Sequence, residues 1–343
     1  MSQPILVPLD GSNDADAALE VAADIAAKSG AHLKLLHVGL RQPGARTALY
    51  EAAERSYEQA ERSGGWTSDH LNWPRRLQIL DHMGRMILDD GTTRAQERGA
   101  TSVEAVIDWG EEGERILHHS KHPPVDMIVM GSRGSSALQG LFLGSVSHKV
   151  SHLAPCTCVT VHAAEDRFGL GTLERILVPF DGSDHAMKAV ELACDLAQEF
   201  GAVVKIIHVP QPWHSPDHLR GIIDIDSLDA ETRRALDQAS AAESLAMGAG
   251  YAWPTIPEAA LTEIGEAILN VARNAALDNG VMEVETELLY GDSAQCILKA
   301  AETDPADMIV MGMRGLGEVA GMLMGSVSYK VNHLAPCTCI TVK

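Results

Sequence analysis

The sequence predicts an α/β protein made of two tandem, doubly wound, parallel sheets of five strands each. Strand-sized apolar runs alternate with amphipathic helical patterns, which is typical of parallel sheets covered on both faces. The same pattern starts again near residue 173, which indicates a duplicated domain rather than short solenoid repeats. With 343 residues and 45% hydrophobic content, the chain can fill two cores. We expect domains over 1–163 and 172–343, joined by a linker at Ala163–Gly171.

The first copy opens with an apolar strand over Gln3–Leu9, which ends in Asp10-Gly11-Ser12. An amphipathic pattern then predicts a helix that ends at Gly30. A second strand is expected at His32–Val38. The segment that follows is long and charged, and it predicts two helices, Ala45–Ser63 and Arg75–Arg98, with a break at Gly64–Pro74. Strands and helices then alternate to the end of the copy, at Ser102–Asp108, Glu114–His119, Val125–Met130, Gly144–Leu153 and Thr157–Val161.

The second copy repeats this order from Leu173–Phe180, which ends in Asp181-Gly182-Ser183. The offset between the copies grows by about ten residues between their second and third strands. We expect this growth to form loop or helix rather than a new domain. Both expanded segments contain a Trp-Pro pair, Trp73-Pro74 and Trp253-Pro254. These pairs either anchor the added helices or mark a partner surface, and the sequence leaves both open.

Composition limits the possible partners. The 47 acidic and 27 basic residues give a net charge of −20, which argues against nucleic acid and anionic membranes. The apolar runs are strand-sized, and the first residues have no basic segment typical of a signal peptide. The six cysteines show no disulfide-scaffold spacing. We therefore expect a cytoplasmic protein, in which any phosphate site must draw its positive potential from local groups.

A glycine-rich stretch recurs after the fourth strand of each copy, at Gly131–Ser147 and Gly312–Ser328. Each stretch has two glycines three apart and, nine residues later, a Gly-Ser pair that opens a helix. Glycines let backbone amides approach a ligand, and a helix N-terminus presents unpaired N–H groups. This combination predicts a phosphate site in each copy.

Ligands of open parallel sheets bind beyond the carboxyl ends of the strands, where the winding reverses. If strands one and four are neighbours, the turn with Asp10 or Asp181 faces the same crevice as the glycine stretch. An aspartate there suits ribose hydroxyls, although a role in the turn or at the helix N-terminus is the alternative. Arg133 and Arg314 are the expected cationic helpers of a phosphate.

The whole chain resembles a tandem universal stress protein of the ATP-binding subclass. The resemblance rests on the pattern G-x2-G-x9-G-[ST], which follows the strands Asp126–Gly131 and Asp307–Gly312 in both copies. It implies an adenine nucleotide alpha hydrolase-like fold, a strand order of 3-2-1-4-5, and bound ATP, often with a divalent cation such as Mg²⁺. It also implies that the two repeats pair through their fifth strands, with a homodimer as a further possibility.

The predicted cofactor-binding residues combine the resemblance with the residue argument. Aspartates would contact ribose or adenine, the backbone at the ends of the second strands would border adenine, and the remaining residues would hold phosphates. They are Asp10, Val38, Gly131, Arg133, Gly134, Gly144, Ser145, Ser147, Asp181, Val209, Gly312, Arg314, Gly315, Gly325, Ser326 and Ser328.

The predicted function is that of a stress-response protein that binds ATP as a sensor or regulator and acts on an unknown protein partner. No general base, nucleophile or metal triad stands beside the glycine stretches, so we do not expect fast catalysis. The alternatives are a slow ATPase or phosphotransferase, and a scaffold that no longer binds nucleotide. The paired cysteines of the fifth strands, Cys156/Cys158 and Cys337/Cys339, are expected to be buried free thiols rather than metal ligands.

Overall fold

The structure is a computed structural model. It describes residues 4–39, 48–63, 73–134, 143–162, 169–171, 173–211, 216–246, 256–316 and 324–343. The chain divides into two compact units, Met1–Thr172 (unit 1) and Leu173–Lys343 (unit 2). Each unit contains five parallel strands with helices packed against them.

Unit 1 has five parallel strands in the spatial order β3-β2-β1-β4-β5. Ile5 pairs with Leu33 on one side and with Met127 on the other, so β1 and β4 are neighbours where the winding reverses. This confirms the predicted doubly wound sheet. The strands are β1 (Ile5–Pro8), β2 (Leu33–Gly39), β3 (Val103–Trp109), β4 (Met127–Gly131) and β5 (Thr157–Val161).

Five helices lie in the described part of unit 1. They are α1 (Asn13–Ser29), α2 (Ala48–Ser63), α3 (Arg75–Glu97), α4 (Glu112–Lys121) and α5 (Ser145–Leu153). The bounds agree with the sequence prediction except that α4 extends further at both ends than Glu114–His119. Of the predicted break between α2 and α3, residues 64–72 lie outside the described part.

The helices cover both faces of the sheet. Leu36 belongs to a core cluster with residues of α4 and α5, such as Ile116 and Val150. The adjacent Leu35 points the other way, because a Cβ built on Gly91 of α3 would lie 3.5 Å from its side chain. Successive side chains of a strand alternate between faces, so α4 and α5 cover one face while α1 and α3 cover the other.

Helix α1 shows how the sequence sets the first turn and the last. The Ser12 hydroxyl accepts the N–H of Ala15 at 3.2 Å and so caps the N-terminus. Gly30 ends the helix in the left-handed conformation, with φ +69°, as the sequence predicts. Between them α1 buries alanines and larger aliphatic side chains against the sheet.

The expanded segment of unit 1 packs onto the body of the unit through α3. Tyr50 and Tyr57 of α2 form a cluster with Ile79 of α3. Trp73 meets Trp109 of β3 edge to face, with ring centroids 5.1 Å apart. The structure therefore favours the anchoring role for this Trp-Pro pair. Trp253-Pro254 lies outside the described residues.

Unit 2 repeats the architecture with the order β8-β7-β6-β9-β10 and parallel pairing. Its strands are β6 (Arg175–Pro179), β7 (Val203–His208), β8 (Val284–Leu288), β9 (Met308–Gly312) and β10 (Thr338–Val342). Its helices are α6 (Asp184–Phe200), α7 (Pro216–Ile222), α8 (Ala230–Ala246), α9 (Glu258–Asp278), α10 (Ser293–Thr303) and α11 (Ser326–Leu334).

The longer connection of unit 2 is helical, as expected. It contains α7, a short 3-10 helix at Ile225–Ser227, α8 and α9 between β7 and β8. The sheet order does not change despite these additions. The growth therefore lies outside the part of the unit that positions the glycine stretch.

Candidate nucleotide-binding site

In unit 1 the turn after β1 and the loop after β4 meet at the carboxyl ends of the two strands. The Ser12 hydroxyl donates to the carbonyl of Arg133 at 3.4 Å. A Cβ built on Gly134 would lie only 2.7 Å from Oδ2 of Asp10. Glycine at this position lets the carboxylate and the loop backbone approach each other, as the crevice argument requires.

Unit 2 brings the matching groups together. The Ser183 hydroxyl donates to the carbonyl of Arg314 at 3.3 Å. Oδ2 of Asp181 accepts the N–H of Leu316 at 3.2 Å, and a Cβ on Gly315 would overlap this carboxylate. The same juxtaposition therefore arises twice, from residues more than a hundred positions apart in each unit.

The aspartates also organise their own turns. Oδ1 of Asp10 accepts the N–H of Ser12 at 3.0 Å, and Oδ1 of Asp181 accepts that of Ser183 at 3.0 Å. The helix N-caps are Ser12 and Ser183, not the aspartates. The structure therefore shows both aspartates in the turn role that the sequence analysis named as an alternative, and it shows serines as the helix caps.

Near the end of each glycine stretch a helix begins, and its N-terminus has no side-chain cap. Gly144 and Gly325 are the N-caps of α5 and α11, and neither has a side chain that could satisfy the first amides. The first helical bond of α5 is from the N–H of His148 to the Gly144 carbonyl, at 2.9 Å. The amides of Ser145 to Ser147 precede it, and helix geometry gives them no intrahelical acceptor. These amides are suited to anionic oxygens.

The serines of these helices differ in position. Ser145 and Ser326 are exposed at the first helical residue. Ser147 and Ser328 are buried, and their hydroxyls donate to the carbonyls of Gly131 and Gly312 at 2.7 and 2.8 Å. The second serine of each pair therefore fastens the helix start to the end of the fourth strand.

Arg133 is held by a carboxylate that the sequence analysis did not single out. Oδ2 of Asp14, on α1, accepts the Ser132 hydroxyl at 2.7 Å and the N–H of Arg133 at 3.1 Å. It also lies 3.2 Å from Nε of Arg133. The residues of unit 2 at the positions of Asp14 and Ser132 are His185 and Met313.

The predicted borders of the adenine lie at the ends of β2 and β7. Val38 is half-buried and pairs with Asp108 in the β2–β3 register. Val209 follows β7, and its carbonyl accepts Nε2 of Gln211 at 3.3 Å. Gln211 Nε2 also lies 2.9 Å from Oγ of Ser293. Gln211 is a second residue at the site that the sequence analysis missed.

Glu112 is a third missed residue, and it belongs to the crevice of unit 1. It is the first residue of α4 and is half-buried. Burial raises the pKa of its carboxyl, and the negative charges of Asp10 and Glu111 raise it further. Asp10 follows the carboxyl end of β1 and Glu112 follows that of β3, so both carboxyls lie at the same edge of the sheet. Only a three-dimensional arrangement reveals this, because the two residues are distant in sequence.

Other candidate residues serve the core. Nδ1 of His37 donates to the Leu9 carbonyl at 2.8 Å, and Nδ1 of His208 donates to that of Phe180 at 2.7 Å. Burial lowers the pKa of both imidazoles. Cys158 and Cys339 are fully buried free thiols in apolar clusters. The buried free thiols predicted at Cys156, Cys158 and Cys339 are confirmed, whereas Cys337 is only partly buried.

The described residues contain neither a metal-binding cluster nor a membrane-spanning helix. Within the ranges that the structure covers, no group of three or more histidine, cysteine or acidic side chains is arranged to hold a metal ion. Among the helices of those same ranges, none combines the length and the apolar character needed to cross a bilayer.

Comparison with known proteins agrees with this geometry. The model of the universal stress protein family matches the chain twice, over residues 1–162 and 172–343. The chain belongs to the universal stress protein family. Universal stress protein YxiE of Bacillus subtilis is 33% identical over 161 residues, which is 47% of this chain and 99% of that protein. Universal stress protein Rv2005c of Mycobacterium tuberculosis is 26% identical over 344 residues, covering 98% of this chain and 97% of the relative.

A solved universal stress protein has the same fold over the full chain. The crystal structure of a universal stress protein from Archaeoglobus fulgidus covers 100% of this chain and 97% of its own, with a TM-score of 0.59 and 21% identity. The tandem arrangement of universal stress domains thus extends to the relatives in Mycobacterium and Archaeoglobus. Membership in the family also places the chain among stress-response proteins.

Proposed function

We propose that this universal stress protein binds ATP at the carboxyl ends of its strands and acts as a nucleotide-dependent sensor or regulator. The observation that supports this most directly is the meeting of an aspartate and a glycine loop, Asp10 with Gly134 and Asp181 with Gly315. It occurs in both units at the point where the strand order reverses, which is where sheets of this class bind ligands.

The groups at this edge match the parts of a nucleotide. The Asp10 and Asp181 carboxylates would accept hydrogen bonds from ribose hydroxyls, and the first amides of α5 and α11 would donate to phosphates. A single helix terminus contributes only about 0.3–1 kcal/mol, so the loop amides and the arginines must add to it. A divalent cation would arrive with the phosphates, since Mg²⁺ is bound mainly through substrate phosphates and water.

Regulation suits the site better than catalysis. Within the described residues each crevice presents an aspartate, glycines, serines and an arginine, with Glu112 added in unit 1, and the aspartates are occupied in turn and loop bonds. Binding of a nucleotide would change these bonds and thereby the glycine loop. We propose that a partner protein recognises the nucleotide-bound form of that loop.

Mass spectrometry of protein purified under native conditions and then denatured tests this proposal. We expect adenine nucleotide to be released, and isothermal titration of nucleotide-free protein to show ATP binding. Single-turnover incubation with ATP and Mg²⁺ should leave the ATP intact over hours. Absence of binding in both measurements would refute the proposal, and steady hydrolysis would favour the slow ATPase.

A further inference from the structure

We propose that the two crevices differ in the nucleotide charge that they accept. In this proposal unit 2 is the triphosphate site, and Asp14 and Glu112 make unit 1 discriminate against each added phosphate. The inference rests on the proposed nucleotide binding and assigns a ligand class to each site.

The first observation is the carboxylate of Asp14 beside the glycine loop of unit 1. Its Oδ2 already accepts three donors of the phosphate side, namely the hydroxyl of Ser132 and the N–H and Nε of Arg133. The Asp14 side chain is only 9% exposed, so solvent screens it poorly. A phosphate at this position would meet an arginine whose charge is balanced by Asp14, and the Ser132 hydroxyl and the Arg133 N–H are already engaged.

Among the described residues, Arg133 is the cation that forms an ion pair with Asp14. His162, which follows β5, is close enough for both Asp14 and Arg133 to influence its titration. Burial lowers the pKa of His162 to about 4, so its imidazole is neutral at pH 7. The Asp14–Arg133 pair therefore contributes no net positive charge to the crevice.

The second observation is Glu112, which follows the carboxyl end of β3 as Asp10 follows the carboxyl end of β1. Glu112 and Asp10 are close enough for the charge of Asp10 to raise the pKa of Glu112. The matching residue of unit 2, at the start of α10, is Ser293, which accepts a hydrogen bond from Gln211. Unit 1 thus presents two carboxylates where unit 2 presents His185 and Ser293.

The two sites should therefore differ in their affinity for negatively charged ligands. A triphosphate carries several negative charges, and like charges at crevice distances of about 10 Å weaken binding unless they are compensated. Adenosine carries no charge and is insensitive to this effect. Affinity should therefore rise from adenosine to ATP in unit 2 and stay level or fall in unit 1.

Single-site proteins test the inference. Gly325→Val leaves only the site of unit 1, and Gly144→Val leaves only that of unit 2. Each is titrated with adenosine, AMP and ATP by calorimetry, without divalent cation. We expect the unit 2 site to bind ATP at least about tenfold more tightly than the unit 1 site. High salt should reduce this difference, because it screens the carboxylates.

Variants that remove the charge of one carboxylate test which residue weakens ATP binding in unit 1. In the Gly325→Val protein, Asp14→Asn and Glu112→Gln should each strengthen ATP binding severalfold, with a much smaller change for adenosine. Asn keeps an acceptor for Ser132 and Arg133, so the loop contacts survive. The matched control is His185→Asp in the Gly144→Val protein, which should weaken ATP binding.

The outcomes separate the two proposals. If neither single-site protein binds any nucleotide, the proposed function itself fails and this inference fails with it. If both bind but ATP affinity is equal, or greater in unit 1, only the inference is overturned. It is also overturned if Asp14→Asn and Glu112→Gln leave the ATP affinity of unit 1 unchanged while thermal melting shows both variants folded.

Discussion

The carboxylate of Asp181 accepts a hydrogen bond of 3.2 Å from the backbone N–H of Leu316 and so joins the turn after β6 to the glycine loop after β9. Its other oxygen accepts the N–H of Ser183. Ribose hydroxyls at this crevice would compete with Leu316 for the same oxygen. If the proposed nucleotide binds there, its binding and the position of the loop would be coupled through the Asp181 side chain.

Replacing both aspartates, Asp10→Ala with Asp181→Ala, should lower ATP affinity about tenfold or more. Charge-assisted hydrogen bonds contribute about 1.5–3 kcal/mol, and both ribose acceptors are lost. Calorimetric titration measures the effect. The Asn double variant keeps neutral acceptors and should lose less. If the Ala double variant binds ATP as tightly as the native protein does, the aspartates are not part of the binding site.

The double variant Gly144→Val with Gly325→Val should abolish nucleotide binding and leave the fold intact. Both glycines have extended backbone angles that valine adopts, with φ −72° and −69°. The new side chains would crowd the loop, because a Cβ at Gly144 already lies 3.3 Å from the Ser132 carbonyl. Calorimetry measures nucleotide binding by the variant, and circular dichroism shows whether the variant keeps its fold.

Gly171→Val is the matched control for that experiment. A Cβ built on Gly171 meets nothing within 4 Å, so this variant should bind ATP as the native protein does. Normal ATP binding by the Gly144/Gly325 double variant would show that the site is misplaced.

Gly131→Ala should lower the free energy of unfolding by about 2 kcal/mol or more, through overpacking. A Cβ at this position would lie 2.6 Å from the backbone carbon of Asp14, which cannot yield as a flexible side chain can. Urea unfolding of the variant, beside Gly171→Ala, provides the measurement. An unchanged midpoint would mean that α1 and β4 are less closely packed than the structure shows.

Arg98→Met should destabilise unit 1 by about 1 kcal/mol, and less so at high salt. Arg98 lies 2.7 Å from both Glu20 and Asp24, and these partly buried pairs join α3 to α1. Denaturant unfolding at low and high ionic strength tests both statements. Arg55→Met, at an exposed position of α2, serves as the comparison and should have little effect.

The stability of unit 1 should fall as the pH falls from about 6.5 towards 4, and His162→Gln should reduce this dependence. Burial lowers the pKa of His162 from 6.5 to about 4. Between these values the unfolded chain binds more protons, so the contribution is present above 6.5 and lost on acidification. The shift corresponds to at most about 3 kcal/mol.

Unfolding titrations at pH 7, 6 and 5 would measure the slope for the native protein and for His162→Gln. The carboxylates of the chain add their own pH dependence to both proteins. The difference between the two slopes therefore measures the contribution of His162. Identical slopes would show that His162 titrates as an exposed histidine does.

Much of the fold could be predicted because its signals are local. Apolar runs that stop at Asp-Gly-Ser, a serine cap and a closing glycine set the bounds of α1 and its neighbouring strands before any tertiary contact is known. The repetition of these signals predicted the duplication. Helix α4 is longer than predicted because Glu111 caps it through the N–H of Glu114, a contact that the pattern did not reveal.

The site could be predicted only in part, because its specific contacts connect distant residues. Asp14 reaches Arg133 across 119 positions, and nothing near Asp14 in the sequence indicates that partner. Gln211 is close to Val209 in sequence, yet its amide is oriented by Ser293, 82 positions away. Comparing the two copies position by position would have shown that Asp14 and Glu112 lack counterparts.

The unchanged sheet order of unit 2, despite its longer helical connection, has a practical consequence. Helices α8 and α9 belong to the connection between β7 and β8, and the strand order is the same in both units although this connection is longer in unit 2. A fluorescent reporter domain grafted there would be carried by a connection that already varies in size. Such a fusion would turn the molecule into an optical probe while the strand ends keep their native sequence.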